Sequence, residues 1–223
     1  MSSIFHILRA FRIIIIFSRK GLLSKISKSS LIPQRTLFFI NILNFFVGKE
    51  VPDSEIGSTI VATLKVLGPA FVKLGQALAT RPDIIGVQLA NELAQLHDNM
   101  EPFSYEKIVK SIKTETGKDI EQLFKSFNKT PIAAASISQV HKAKTFENDI
   151  VAVKILRPGV EKAIFSDLRF FKWCAKFLSS LDKEISFLRL PEAVDIFEVL
   201  TKNEMDLRLE AAAADELSKN FDK

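Results

Sequence analysis

Two clusters of side chains in this 223-residue sequence could do chemistry. The first is centred on Lys154, which lies inside Ile150-Val151-Ala152-Val153-Lys154-Ile155-Leu156, a run that reads as a buried strand of largely β-branched residues. An ammonium inside such a strand is costly unless it meets a carboxylate or a phosphate. Lys154 therefore either binds an anion or points to the solvent side of an edge strand. The second cluster is Lys73 and Gln76, three residues apart and so on one helix face, away from the apolar stripe of Phe71, Leu74 and Leu78. A solvated pair on an amphipathic helix is the plain alternative. Thiol and metal chemistry find little support. The single cysteine, Cys174, sits beside Trp173 and Ala175 in an apolar stretch, and His6, His97 and His141 never pair at helical spacing.

The elements that must position these residues follow from periodicity. Pro52-Asp53-Ser54 punctuates the chain, and Ile56, Ile60, Leu64, Leu67, Phe71, Leu74 and Leu78 then recur at helical spacing. Gly68-Pro69 should kink or divide that helix, and Thr80-Arg81-Pro82-Asp83 should end it. A further helix runs through Leu89, Leu93 and Leu96. Ser104 is an N-cap candidate for a helix to about Glu115, closed by Gly117. Asp119 and Gln122 form a capping-box pattern that opens a short helix through Leu123 and Phe127. The texture changes at Pro131. Residues 132–145 interleave Ile137, Val140 and alanines with polar residues, Phe146-Glu147-Asn148-Asp149 is a hydrophilic turn, and Arg157-Pro158-Gly159 ends the lysine strand. Helical patterns follow from Val160 to about Leu181, and again in one long helix after Pro191.

Charge divides the chain unevenly. Residues 1–50 hold eight Lys and Arg against the single acid Glu50, a surplus of +7, while the whole chain carries +5 and the remainder is therefore −2. With 47% hydrophobic and 26% charged residues, disordered and low-complexity classes are excluded. A nucleic-acid surface over the whole protein is not indicated either. The basic segment is also greasy: Ile4, Phe5, Ile7, Leu8, Phe11 and Ile13 to Phe17 accompany its arginines, and Thr36 to Gly48 is uncharged. Both stretches fall short of the roughly 20 apolar residues that a bilayer span needs. Such helices suit the surface of an anionic membrane, or else pack on the protein body.

A strand, turn and strand ending in V-A-V-K is the arrangement of a protein-kinase N-lobe, in which a turn covers ATP phosphates and the lysine pairs with a helix glutamate. Four motifs occur together here. Lys73-Leu74-Gly75-Gln76 (K-x-G-Q) is followed by Ala79 to Asp83, then by Pro131 to His141 with its Ala133-Ala134-Ala135-Ser136 run, by Val151 to Pro158, and by Glu204-Met205-Asp206 (E-x-D). In this order they resemble the UbiB/ADCK family of atypical kinase-like proteins, and most closely its UbiB branch, linked to ubiquinone biosynthesis. The resemblance covers about residues 55–220. It implies that Lys154 pairs with Glu210 to position ATP phosphates, and that Ala133, Ala134, Ala135 and Ser136 form the nucleotide loop in place of G-x-G-x-x-G. It further implies that Lys73 meets Glu204 and Asp206, with Gln76 beside them, in a latch that keeps peptides out. Ala213 stands where relatives commonly carry Asn.

The expected architecture is α+β: a basic apolar segment (1–50), a helical K-x-G-Q extension (51–128), and a partial kinase-like N-lobe (129–223) with about three strands. The chain contains no D-F-G and no H-x-D catalytic loop, so magnesium ligands are expected only from a C-lobe, supplied by a companion chain if at all, and the chain alone is expected to be catalytically incompetent. Two functions stay open. One is a UbiB-like ATP-dependent accessory protein working on the cytoplasmic face of the inner membrane with ubiquinone-biosynthesis proteins or lipid intermediates. The other is a non-catalytic, membrane-associated helical module or a degenerate remnant. No nucleic-acid partner is expected.

Overall fold

A computed structural model describes residues 3–26, 50–97, 101–181 and 186–221. In chain order the helices are α1 (Ser3–Arg19), α2 (Leu22–Ile26), α3 (Ile56–Leu67), α4 (Pro69–Ala79), α5 (Pro82–Ile85), α6 (Val87–Ala94), α7 (Tyr105–Thr116) and α8 (Ile120–Leu123). The strands β1 (Ser126–Phe127), β2 (Ala133–Ala134), β3 (Ser138–Lys144) and β4 (Ile150–Leu156) follow, and then α9 (Val160–Leu181), α10 (Leu190–Met205) and α11 (Leu207–Phe221). The expected apolar stretch Thr36 to Gly48 lies outside the described residues. Contacts divide the described chain into two units, one from Met1–Leu96 and Ser166–Asp195, the other from His97–Phe165 and Ile196–Lys223.

In the first unit, the proline after Gly68 starts α4 as a new helix, because its missing N–H costs nothing in a first turn. Leu64, Phe71, Val72 and Leu93, on α3, α4 and α6, and Leu96, just after α6, are buried in the core of this unit. Phe71 meets Phe171 edge-on, with ring centroids 4.9 Å apart. Helix α1 turns His6 onto Trp173, and Arg9 pairs with buried Asp167. Its opposite stripe of Ile4, Ile7, Leu8 and Phe11 is exposed. Ile13 to Phe17 are half-buried, so the exposed apolar surface of this helix is concentrated in its N-terminal half.

The second unit is a small antiparallel sheet backed by α7 and α8. Strand β3 is its centre, pairing with β1, β2 and β4. The sheet has four strands, one more than expected, because Ser126–Phe127 leaves the short helix and joins β3. Helix α8 therefore ends at Leu123 rather than running through Phe127. Gly117 closes α7 in the left-handed region, φ 73°, which favours a residue without a Cβ. Phe103, Ile108, Ile112 and Ile120 pack against Ile155, with Val153 and Phe127 at the margin.

Candidate functional site

Strand alternation decides where Lys154 points. Ile155 belongs to the core packed on α7, so Lys154, its neighbour in the pleat, lies on the opposite face. The expectation of a strand buried throughout is corrected accordingly: only one face of β4 is packed into that core, and Ile150 and Ala152 are exposed. Register places Lys154 directly across from Val140, and Val140 directly across from Ala133. Opposed residues of an antiparallel pair share a face, so the lysine and the first alanine lie in one row across the sheet. Lys154 Nζ donates to Glu210 Oε2 at 2.5 Å. The two side chains keep 33% and 58% of their surface exposed, so the pair is open to solvent and to small ligands.

Glu210 reaches that position because the long helix expected after Pro191 is broken. Helix α10 stops at Met205, and α11 starts at Leu207. Asp206 makes the break by capping α11: its Oδ1 accepts the Arg208 N–H at 3.1 Å, the bond of an N-cap residue. Arg208 also grips both carboxylate oxygens, at 2.8 and 2.7 Å, and holds the Asp206 carboxyl below the usual range. Glu204 and Asp206 consequently do not share a continuous helix with Glu210, contrary to the sequence expectation. The reason is local: an aspartate side chain competes for backbone N–H groups that an unbroken helix would use. Glu204 is exposed and Asp206 half-buried.

The alanine-rich run is also tighter than expected. Ala133 and Ala134 are paired with Val140 and Gln139 in the sheet, so the loop is confined to Ala135, Ser136 and Ile137. Ala135 N–H donates to Ser138 O at 2.7 Å across this turn. Ser136 and Ile137 are buried, and among the described residues neither N–H has a backbone acceptor. Adjacent free N–H groups in a turn form a concavity suited to an anion.

Behind the turn, three side chains that the sequence reading did not single out as site residues brace the sheet. Gln139 is fully buried; its Oε1 accepts the Phe103 N–H at 2.9 Å and its Nε2 donates to Phe103 O at 3.3 Å. His141, also fully buried, lies with Nδ1 2.8 Å from Asn128 O and Nε2 2.8 Å from Gln139 Nε2. A carbonyl only accepts, so Nδ1 carries the proton and Nε2 is free to accept from the Gln139 amide. Arg157 is the third brace. The signal in the sequence was polar residues at alternate positions of Ser138-Gln139-Val140-His141, on the side where β4 places Val153 and Ile155.

In the first unit, the K-x-G-Q helix has a structural logic of its own. A Cβ at Gly75 would lie 2.5 Å from Leu96 Cδ1 and 2.7 Å from Leu64 Cδ1, so glycine lets α4 approach its neighbours closely. Gln76 Nε2 donates to Leu96 O at 2.8 Å. Lys73 is buried on the same helix, while Glu204 and Asp206 belong to the second unit. Burial pushes the Cys174 thiol up to about 11, which marks it as a packing residue. Among the described residues, no group of His, Cys, Asp or Glu could hold a metal ion.

A strand lysine paired to a helix glutamate, beside a turn with free N–H groups, defines a protein-kinase-like N-lobe. The ABC1 atypical kinase-like domain matches residues 95–223. The chain belongs to that family, the UbiB/ADCK group of atypical kinase-like proteins. Similar relatives include the protein called "Probable protein kinase UbiB" in Pseudomonas aeruginosa PAO1, 39% identical over 166 residues, covering 74% of this chain and 31% of the relative. Proteins of the same name in Shewanella sp. MR-4 and Aeromonas salmonicida A449 are 39% and 36% identical over 178 residues, covering 79% of this chain and 32% and 33% of theirs. The chain thus spans about a third of the length of these relatives.

Proposed function

We propose that this chain supplies the lysine-side nucleotide contacts of a UbiB-like atypical kinase or ATPase that serves ubiquinone biosynthesis. The observation that carries this reading is the Lys154–Glu210 pair on the sheet row that begins at Ala133. The residues fit ATP: Lys154 offers an ammonium already oriented by a carboxylate, and the Ser136 and Ile137 N–H groups have no backbone claim on them. ATP would supply the transferable or hydrolysable phosphoryl group. These residues would hold its phosphates, and magnesium would need carboxylates from a catalytic loop and D-F-G that the 223 residues do not contain. The 223 residues by themselves therefore hold nucleotide without turning it over, and C-lobe residues that supply those carboxylates would restore turnover. Thermal melting with and without ATP tests this: stabilisation lost in Lys154→Ala supports it, and equal stabilisation of both proteins refutes it. Metal-dependent turnover by the chain alone, abolished by Lys154→Ala, would overturn the claim of incompetence.

A second reading rests on the exposed apolar stripe of α1. No described helix is long and apolar enough to cross a membrane. The stripe, with Arg12 and Arg19 exposed on the same helix and no acid in it, suits the surface of an anionic bilayer. On that reading the chain is peripheral, on the cytoplasmic face of an inner membrane, close to lipid intermediates. The two readings are compatible, and a membrane role without nucleotide binding is the non-catalytic alternative.

A further inference from the structure

Arg157, the first residue after the lysine strand, grips the alanine-rich turn from two sides. Its backbone N–H donates to Ile137 O at 2.8 Å. Its Nη2 donates to Ala135 O at 3.3 Å and to Glu101 O at 2.7 Å. The guanidinium carbon stands 5.4 Å from the ring centroid of Phe103, which is buried in the core. The chain segment before α7, the turn and the end of β4 are thus joined through one side chain.

Peptide planarity turns this grip into a directional device. In a trans peptide the C=O and the following N–H point to opposite sides, and among the described residues no peptide bond is cis. Binding Ala135 O therefore fixes the direction of the Ser136 N–H, which belongs to the same peptide plane. The other edge of Ala135 is held by its bond to Ser138 O. Without Arg157, a rotation of the Ala135–Ser136 peptide would turn that N–H toward the side the carbonyl now occupies.

We propose that Arg157 is a positioning residue for the nucleotide turn: by holding Ala135 O and Ile137 O it presets the Ser136 N–H for a phosphate oxygen. The inference rests on the nucleotide reading above. Lysine is a poor substitute, because it lacks the planar guanidinium that lies over the Phe103 ring.

The test compares the full chain with Arg157→Gln and Arg157→Lys. Hydrogen exchange without nucleotide reads the turn, titration with ADP reads the site, and melting reads the fold. The Ala135 N–H, bonded to Ser138 O, should exchange about tenfold faster in both variants, with α7 unchanged, and ADP should bind about tenfold more weakly. Arg157→Lys guards against a Gln variant that fails to fold. Faster exchange in the turn with parental ADP affinity overturns the positioning role and leaves the nucleotide reading standing, as does unchanged exchange. Equal protection loss throughout the second unit also overturns it, since the residue would then only stabilise the fold. A parent chain that binds no ADP fails the nucleotide reading itself, and this inference with it.

Discussion

The Lys154–Glu210 pair can be measured without any nucleotide. At 2.5 Å two unit charges attract by roughly 1.7 kcal/mol even at the dielectric constant of water. Side chains that stay 33% and 58% exposed remain hydrated and mobile, and ordering both opposes the attraction. The net coupling should therefore be about 0.5–1 kcal/mol, the range of exposed pairs of good geometry. The cycle comprises Lys154→Ala, Glu210→Ala and the double variant, each unfolded in urea. The single tyrosine, Tyr105, lies in the second unit and the single tryptophan, Trp173, in the first, so their emission separates the two transitions. Coupling should appear only in the tyrosine transition and shrink at 1 M salt, where the screening length falls to about 3 Å. Coupling within error of zero at low salt would refute the pair as drawn. A value above about 3 kcal/mol would refute its solvent-open character and indicate a buried ion pair.

Other perturbations read other parts of the argument. Gly75→Ala should destabilise the first unit by about 1–2 kcal/mol in the tryptophan transition, because overpacking against Leu64 and Leu96 outweighs the helix-forming gain of alanine. Gln139→Leu should cost about 2–4 kcal/mol in the tyrosine transition, since it strands the Phe103 peptide groups and His141 Nε2 in the interior; a loss under 0.5 kcal/mol would contradict the brace. Cys174 should react with iodoacetamide about a hundredfold more slowly than an unperturbed thiol at pH 8, because a shift from 9.0 to about 11 leaves that much less thiolate. Its rate should rise with pH until about 11, and a plateau near 9 would deny the burial effect. Vesicles containing anionic lipid should sediment the chain, neutral vesicles should not, and Leu8→Glu with Phe11→Glu should abolish sedimentation; equal binding to neutral vesicles would refute the charged-interface reading.

Much of the site was legible because its elements are specified locally. The Gly68-Pro69 division, the Gly117 stop and the Gln122 side chain reaching back to the Asp119 N–H at 2.9 Å all depend on a few neighbouring residues. The β-branched run around Lys154 likewise declared its strand, but left open whether the lysine met an anion or faced solvent. The E-x-D residues were misplaced on one long helix because amphipathic spacing continues across Asp206, whereas the carboxylate captures the Arg208 N–H and starts a new helix. Ala133 and Ala134 were placed in a loop for a related reason: two-residue strands carry no periodicity of their own.

The sequence by itself determined most of the helices, the lysine strand and the family, since propensity, capping and motif order are properties of adjacent residues. Tertiary structure alone decided which face Lys154 occupies, and it brings to that face Glu210, 56 residues on, the partner that the family resemblance implied. It also decided that Gln139, His141 and Arg157 brace the turn. Those outcomes depend on strand register and on hydrogen bonds between distant carbonyls and side chains, and neither is written in the spacing of neighbours.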